Sequence, residues 1–250
     1  MYRRENMYLG NYYFDGAYGW TYILVLITFF AAAIASRRVN SVYSKFDKVR
    51  STKGLTAEQA AQRVLDHYGV KGVTIQPIAG NLTDNFNPQT NIISLSESVY
   101  GHTSIAAIGV ACHEAGHAAQ HAEGYVPIKL RNAVVPVTNF GSRAGLPIAI
   151  LGVILASATQ GAMGYGLVYF GLLLYAFITI FQFITLPVEF NASRRALKVI
   201  DETGMLEGSE YNGAKAVLTA AAMTYVVAAA SALASLLRYA VILLNRSDRR

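Results

Sequence analysis

The sequence is poor in cysteine and in charged side chains. Its single cysteine, Cys112, cannot form an intramolecular disulfide, so a disulfide framework is excluded and a reducing compartment is permitted. Charged residues make up only 14% of the 250 residues, while hydrophobic residues make up 53%. This balance favours a membrane protein over a soluble domain. The formal net charge of +6 does not indicate nucleic-acid binding, because the basic residues flank apolar runs instead of forming one stripe with interleaved aromatics.

The first long apolar run extends from about Trp20 to Ala35 and is long enough to span a bilayer. Aromatic residues of the kind found at membrane interfaces precede it. Arg37 and Arg38 follow it where a signal peptide would have a small-residue cleavage site, so we interpret it as a retained anchor. More basic residues follow the anchor than precede it, and this bias predicts that the downstream chain is cytoplasmic.

Three more apolar runs lie in the C-terminal half of the chain. Those from Pro147 to about Met163 and from Tyr165 to Leu186 are joined by an uncharged, glycine-rich link and predict a transmembrane hairpin. The last, from about Ala216 to Leu244, is long enough to span but is rich in Ala and Ser and contains Arg238. Two interpretations stay open for it: a fourth membrane helix, or an amphipathic helix on the cytoplasmic unit or in the interface.

The polar stretch between the anchor and the hairpin is roughly 100 residues long, enough for one foldable unit. A helix is predicted from Thr56 to Tyr68, where apolar residues recur at helical spacing before a glycine stop. Val73 to Ile78 and Asn91 to Leu95 are predicted strands, joined through a turn rich in Asn, Asp and Pro. A second helix is predicted from Ser104 to about His121.

His113, Glu114 and His117 form an H-E-x-x-H motif within this second helix. Residues four apart share one helix face, so both imidazoles can bind one metal ion. Two neutral imidazoles suit Zn²⁺, and Glu114 would then lie beside the zinc-activated water as a general base. Gly116 is a poor helix former, but it permits close packing beneath the site. The motif predicts a catalytic site with one Zn²⁺ per chain.

A catalytic zinc site needs a third protein ligand and an open position for water. The metzincin position, six residues after His117, is Glu123 and not histidine. Glu189 follows the predicted hairpin directly, and two membrane crossings would return the chain to the side that it left. Pro187 is expected to end the hairpin helix, so that Glu189 opens a new segment beside the motif. The alternative carboxylates are Glu123, Asp201 and Glu202.

Residues 104–132, with HEAGHAAQ, and the segment Leu186 to Ala196 resemble the YugP-like family of membrane zinc metallopeptidases. The order of anchor, H-E-x-x-H helix, hairpin and ligand Glu is similar to that of the CAAX prenyl protease and heat-shock membrane peptidase group. The resemblance implies a bound zinc ion, gluzincin-like metalloendopeptidase activity and Glu189 as the third ligand. It covers most of the chain.

Two positions near Glu189 depart from the related sites. An Asp four residues after the ligand Glu often orients a ligating histidine there, but this position is Ser193. In the YugP-like pattern the position of Asn191 is commonly Asp, so the resemblance implies that Asn191 is the orienting group. Ser193 stays a second candidate for this role.

The expected reaction is hydrolysis of a peptide bond. Zinc would lower the pKa of a water molecule, Glu114 would accept its proton, and the hydroxide would attack the peptide carbonyl before Glu114 protonates the leaving amine. Peptidases of this kind commonly bind the substrate as an added strand along a sheet edge. The candidate edge consists of Asn91, Ile92, Ile93, Ser94 and Leu95. A purely structural strand is the equal alternative.

Two other functions are disfavoured by the sequence. An intramembrane protease of the site-2 type would place the motif within the bilayer, but the apolar stretch Ile105 to Cys112 is too short to span, and the downstream Asp-Gly of such enzymes is absent. A transporter usually carries ionisable groups inside its membrane helices, and the hairpin runs contain none. A non-enzymatic metal-binding scaffold would be separated from an enzyme by the activity of a Glu114→Gln variant.

Together these features predict a mainly α membrane protein with three or four transmembrane helices and a small α+β, zincin-like cytoplasmic catalytic unit. Its expected place is the cytoplasmic membrane, with the site facing the cytoplasm. Its expected partners are the lipid bilayer and a polypeptide substrate, for which segments of membrane proteins are candidates. The predicted segments are an N-terminal segment (1–18), the anchor (19–36), the cytoplasmic catalytic region (37–143), the hairpin (144–186), the third-ligand segment (187–215) and the C-terminal helix (216–250).

Overall fold

The structure is a computed structural model that describes residues 19–159 and 162–247. Within these ranges the chain is mainly helical, with a small sheet. The elements in chain order are α1 (Gly19–Asp47), α2 (Ala57–His67), β1 (Thr74–Ile78), β2 (Asn85–Asn87), β3 (Ile92–Ser96), α3 (Ile105–Ala122), α4 (Val126–Thr159), α5 (Ala162–Glu202) and α6 (Ser209–Ser247).

The chain divides into two compact units. The helical unit comprises the described residues of Met1–Ala33, Val134–Phe183 and Val227–Arg250. The site unit comprises Ile34–Ala133 and Ile184–Val226. Each of the four long helices contributes residues to both units.

The candidate membrane spans agree in number with the predicted three or four. Among the described residues, three helices are long and apolar enough to cross a membrane by length and composition: Gly19–Asp47, Ala162–Glu202 and Ser209–Val241. A further candidate is the pair Val126–Gly145 and Pro147–Ala156, which is bent by 44°. Proline at the bend lacks a backbone N–H and crowds the preceding turn, and both effects favour a kink. The last apolar run of the sequence is thus among the candidates.

The helical unit packs its helices through small residues. A methyl group added at Gly152, Gly164 or Gly171 would collide with backbone or Cβ atoms of the facing helix, so α4 and α5 approach each other closely at these positions. Large apolar side chains such as Phe29 and Phe30 are instead exposed. Close contact at glycines and apolar side chains facing outward are typical of helices surrounded by lipid.

The site unit contains a three-stranded sheet in the order β1-β3-β2. β3 pairs in parallel with β1 and antiparallel with β2. The expectation that Asn91, Ile92, Ile93, Ser94 and Leu95 form a substrate-binding edge is therefore wrong, because the strand β3 is central. β3 is largely buried, and its backbone N–H and C=O groups need partners on both sides. The short strand β2, which the sequence analysis did not predict, pairs with β3 on one of these two sides.

Helices α2 and α3 and strand β3 form the core of the site unit together with buried residues of α5 and α6. The predicted helices agree with the structure to within a residue at each end. Ser104 begins α3 by accepting a hydrogen bond from the backbone N–H of Ala107 at 3.2 Å, and it donates one to Asp47 at 2.9 Å. Most residues of α3 are buried, including most of those in the H-E-x-x-H motif. The motif is therefore held in a rigid, packed helix.

Helix α5 corrects one prediction about the third-ligand segment. Pro187 lies inside α5, which continues from Ala162 to Glu202, so Pro187 does not end a helix before Glu189. A proline removes only one N–H from the hydrogen-bond ladder, and a long helix packed against neighbours can tolerate this loss. Glu189 is thus presented by the middle of a helix and not by the start of a new segment.

Candidate metal centre

The two motif histidines lie side by side on α3. Their ring centroids are 4.6 Å apart, with an angle of 81° between the ring planes. This arrangement follows from their spacing of four residues, which places both on one helix face. The His117 side chain is buried, and that of His113 is only 15% exposed. Both Nε2 atoms face α5.

Glu189 on α5 meets both histidines. Its Oε2 is 3.3 Å from Nε2 of His113, and its Oε1 is 3.7 Å from Nε2 of His117. The three side chains offer ligand atoms within 4.8 Å of one another and could hold a metal ion. Within residues 19–159 and 162–247, no other group of His, Cys, Asp and Glu side chains has this arrangement. The structure therefore brings together the two motif histidines and the carboxylate that the sequence favoured.

Gly116 allows α3 and α5 to approach closely enough for this contact. A Cβ atom added to Gly116 would lie 2.6 Å from the backbone oxygen of Ala192 on α5 and 3.2 Å from its carbonyl carbon. Such distances are shorter than real Cβ contacts, and the atoms in the way are backbone. The motif glycine thus sets the distance between the helix of the histidines and the helix of Glu189.

We expect Gly116→Ala to weaken metal binding at this cluster by about tenfold or more, since α3 and α5 must separate, and to lower the free energy of unfolding by about 1–3 kcal/mol. Metal titration and thermal unfolding of the purified protein measure the two effects. Gly109→Ala on the same helix is the matched control, because its added Cβ would meet Ala214 at an ordinary 3.5 Å. Equal metal affinity in both variants would refute this role of Gly116.

The hydrogen bonds of Gln120 determine which nitrogen of His117 carries a hydrogen. The Gln120 Nε2 group donates to the backbone oxygen of Val188 at 2.8 Å and to Oδ1 of Asn191 at 2.9 Å. Its Oε1 therefore faces Nδ1 of His117, 3.1 Å away, and must accept a hydrogen from it. His117 then presents the unprotonated Nε2 to Glu189, which is the form that binds a metal.

Ser193 and Asn191 take different places in this network. The Ser193 hydroxyl lies 3.0 Å from Nδ1 of His113, so of these two residues it is Ser193 that contacts a motif histidine directly. Asn191, which the resemblance favoured for this task, contacts Gln120 instead and also accepts a hydrogen bond from Nε of Arg195 at 2.8 Å. Asn191 thus reaches His117 only through Gln120, because it lies on the side of α5 that faces the end of α3.

The competing carboxylates lie outside the cluster. Glu123 forms an ion pair with Arg195 at 2.7 Å, and this contact lowers the pKa of Glu123. Asp201 is exposed, while Glu202 lies 3.4 Å from His67 and 3.8 Å from Lys198. His121 packs near the ring of Phe86 and is not part of the cluster either.

Glu114 lies beside the cluster in a small cavity. The cavity has a volume of about 180 Å³, and His113, Glu114 and Glu189 are among its lining residues. The Glu114 side chain is buried, and burial raises its pKa to about 7, with nearby Glu189 and Asp84 adding to the rise and His113 opposing it. A buried carboxyl group with a pKa near neutrality is suited to accept and donate a proton.

Three further polar residues near the cluster were not predicted from the sequence. Asp84, in the loop between β1 and β2, lines the cavity and accepts hydrogen bonds from the backbone and hydroxyl groups of Ser96. Tyr225 of α6 lines it as well. Arg131 of α4 has Nη2 3.9 Å from Oε1 of Glu189, and its buried Nε has no partner among the described residues. The sequence analysis assigned no role to these three residues, and none of them belongs to a local motif that would single it out.

The donor set fits a zinc ion. Ligand atoms about 2.1 Å from a tetrahedral zinc are about 3.4 Å apart, and the Glu189 oxygens lie 3.3 Å and 3.7 Å from the two imidazole nitrogens. An unprotonated nitrogen that faces a carboxylate is stabilised when a cation lies between them. Two imidazoles and one carboxylate are also the protein ligands of known catalytic zinc sites.

A helical protein with candidate membrane spans and a buried His-His-Glu cluster beside an acidic residue has the features of a membrane zinc metallopeptidase. The family model described as "Putative neutral zinc metallopeptidase" matches residues 21–244, and the chain belongs to this family. The chain is 42% identical over 214 residues to the "Putative membrane protease YugP" of Bacillus subtilis (strain 168), covering 86% of this chain and 92% of that protein. No solved structure matches the chain significantly. The predicted YugP-like family is thereby confirmed.

Proposed function

We propose that this protein is a membrane-bound endopeptidase that hydrolyses peptide bonds at a zinc ion held by His113, His117 and Glu189. The observation that carries the proposal is the cluster itself, where the unprotonated Nε2 of His117 and the Glu189 carboxylate face each other at 3.7 Å. Membership of a zinc peptidase family and similarity to a membrane protease support it. The ligand set, two histidines and a glutamate, would make it gluzincin-like.

Each ligand has a partner that holds it in place. Gln120 keeps the hydrogen of His117 on Nδ1, and Ser193 fixes the ring of His113. The guanidinium group of Arg131 lies near the Glu189 carboxylate and partly balances its negative charge. Partners of this kind reduce the freedom of the ligands and so favour metal binding. When bound, zinc would polarise the peptide carbonyl and lower the pKa of the attacking water.

Glu114 is the proposed general base. It is adjacent to His113 in sequence but is not one of the three ligands, and its carboxylate lines the same cavity as Glu189. It would accept the proton of the attacking water and pass it to the leaving amine. The buried position of Glu114 excludes most bulk water, so the proton is retained between the two steps.

Removal of the metal is the direct test of the proposed function. We expect the purified protein in detergent to cleave an unfolded protein such as casein, and a chelator to abolish this activity, because no side chain in the cavity replaces the Lewis acid. Addition of about one equivalent of Zn²⁺ per chain should restore it. Cleavage that persists at full rate in metal-free protein would exclude a zinc peptidase.

The proposed location of the site is the cytoplasmic face of the cytoplasmic membrane, on the basis of the basic residues that follow the anchor. Cysteines introduced at Thr52 and Lys198, both exposed positions of the site unit, should resist a membrane-impermeant thiol reagent in intact cells and react after permeabilisation. Native Cys112 is buried and contributes little background.

A cysteine at Asn11, upstream of the anchor, is the matched control and should react in intact cells if the anchor spans the membrane. Labelling at Thr52→Cys or Lys198→Cys before permeabilisation would contradict the proposed orientation. On the cytoplasmic side, we propose polypeptides as substrates, including segments of membrane proteins, because a relative of this chain is described as a putative membrane protease.

A further inference from the structure

A second cavity adjoins the cavity of the metal cluster. It has a volume of about 360 Å³ and shares three wall residues, Ser193, Leu218 and Ala222, with the first cavity. These three side chains are buried, and Ser193 contacts the ring of His113. The second cavity, named here the α5–α6 groove, is therefore one side chain away from a proposed zinc ligand.

The α5–α6 groove follows two helices. α5 contributes residues from Phe190 to Lys198 and α6 contributes residues from Tyr211 to Ala222. A helix rises about 1.5 Å per residue, so the α6 wall is about 16 Å long. An extended peptide advances about 3.3 Å per residue, and a wall of this length matches about five of its residues.

The charge of the groove differs from that of the metal cavity. Arg194 and Lys198 are the charged residues among those that line the groove, whereas Asp84, Glu114 and Glu189 line the metal cavity. Arg194 forms no ion pair with any residue of the described ranges. Lys198 has only a 3.8 Å contact with Glu202, and both side chains are about half exposed, so this pair contributes little. Both cations are therefore available to an anionic ligand.

We propose that the α5–α6 groove binds an extended segment of the substrate that carries an acidic side chain two to four residues from the scissile bond. The inference rests on the proposed peptidase function. Arg194 and Lys198 follow Glu189 by five and nine helical residues, which is about 7.5 Å and 13.5 Å along α5. These distances correspond to about two and four residues of extended peptide. Phe190 and Leu197 supply apolar contacts for the neighbouring substrate side chains.

A pair of matched peptides tests the subsite. Cleavage sites in casein are first mapped by mass spectrometry with the full-length protein in detergent. Peptides around one site are then made with Asp or Asn at each position two to four residues from the cut, on both sides. We expect at least one position where kcat/KM is about threefold higher for Asp than for Asn, and where added salt reduces the ratio.

Double variants of Arg194 and Lys198 test whether the preference for Asp over Asn arises in the α5–α6 groove. Arg194→Gln/Lys198→Gln should reduce the Asp to Asn ratio to about one, and Arg194→Glu/Lys198→Glu should prefer Lys at the same position, a gain that misfolding cannot produce. Lys215→Gln removes an exposed cation of α6 outside the groove and should keep the wild-type ratio.

Three outcomes would overturn the inference. In one, the wild type cleaves the Asp and Asn peptides equally at every position. In another, the double variants keep the wild-type ratio. In the third, native mass spectrometry shows that Arg194→Gln/Lys198→Gln loses bound short-chain phosphatidylglycerol while its peptide preference is unchanged, which assigns the cations to a lipid headgroup. A wild type that cleaves no peptide at all would instead overturn the proposed peptidase function on which the inference rests.

Discussion

Glu114→Gln is expected to lower the rate of proteolysis by roughly 10²- to 10⁴-fold, the usual contribution of a general base. The amide has nearly the same shape as the carboxyl group but cannot accept a proton from water. None of the three proposed ligands is changed, and Glu114 lines the cavity without contributing to the His-His-Glu cluster. Zinc content and folding should therefore stay near those of the wild type.

The measurement compares casein hydrolysis, zinc per chain and thermal unfolding of the purified variant with those of the wild type. Glu97→Gln changes an exposed carboxylate of the same unit and should leave all three quantities unchanged. Nearly normal turnover by Glu114→Gln would refute the general-base mechanism. A loss of zinc together with activity would show instead that Glu114 acts through the metal site. The inactive, zinc-bound protein would also serve to trap natural substrates.

Glu189→Ala is expected to reduce zinc affinity by more than about 100-fold. Loss of a hydrogen-bond partner to a ligand already costs about 10- to 100-fold, and here the ligand itself is removed. The substitution also leaves Arg131 without the carboxylate that it faces, so some loss of stability is expected. Activity should fall at least as far as in Glu114→Gln.

Metal analysis of three variants decides between the candidate carboxylates. Glu123→Ala and Asp201→Ala are the controls, since Glu123 pairs with Arg195 and Asp201 is exposed. Both controls should retain one zinc ion per chain. If Glu189→Ala keeps stoichiometric zinc while either control loses it, the proposed ligand set is wrong. Glu189→Gln adds a variant of similar size, which separates loss of the ligand from loss of packing.

The parts of the fold that could be predicted from the sequence are those with a strong local pattern. The anchor and the apolar runs are long and nearly free of charge, and the candidate spans agree with them. The helix of the motif was predicted from Ser104 to about His121, close to its observed bounds of Ile105–Ala122. Local pattern was sufficient in these cases, because burial in lipid or in a core selects the same residue types wherever it occurs.

Predictions that depended on the neighbours of an element were less successful. β3 was expected at a sheet edge, yet it is central because the three-residue strand β2 pairs with it, and so short a strand has no recognisable apolar pattern. Pro187 was expected to end a helix, yet α5 continues through it to Glu202, since a helix packed against neighbours can tolerate the loss of one hydrogen bond. In each case the outcome depended on contacts with residues distant in sequence.

By itself, the sequence determined that this is a membrane protein with an H-E-x-x-H helix, since spacing along one helix dictates that His113 and His117 share a face. Only the tertiary structure decided which residues surround them. Gly116 admits the backbone of α5 next to α3, and this contact places Glu189 between the imidazoles and Gln120 against Val188 and Asn191. No local rule relates these positions, because the distance between two packed helices is determined by the volumes of the side chains at their contact.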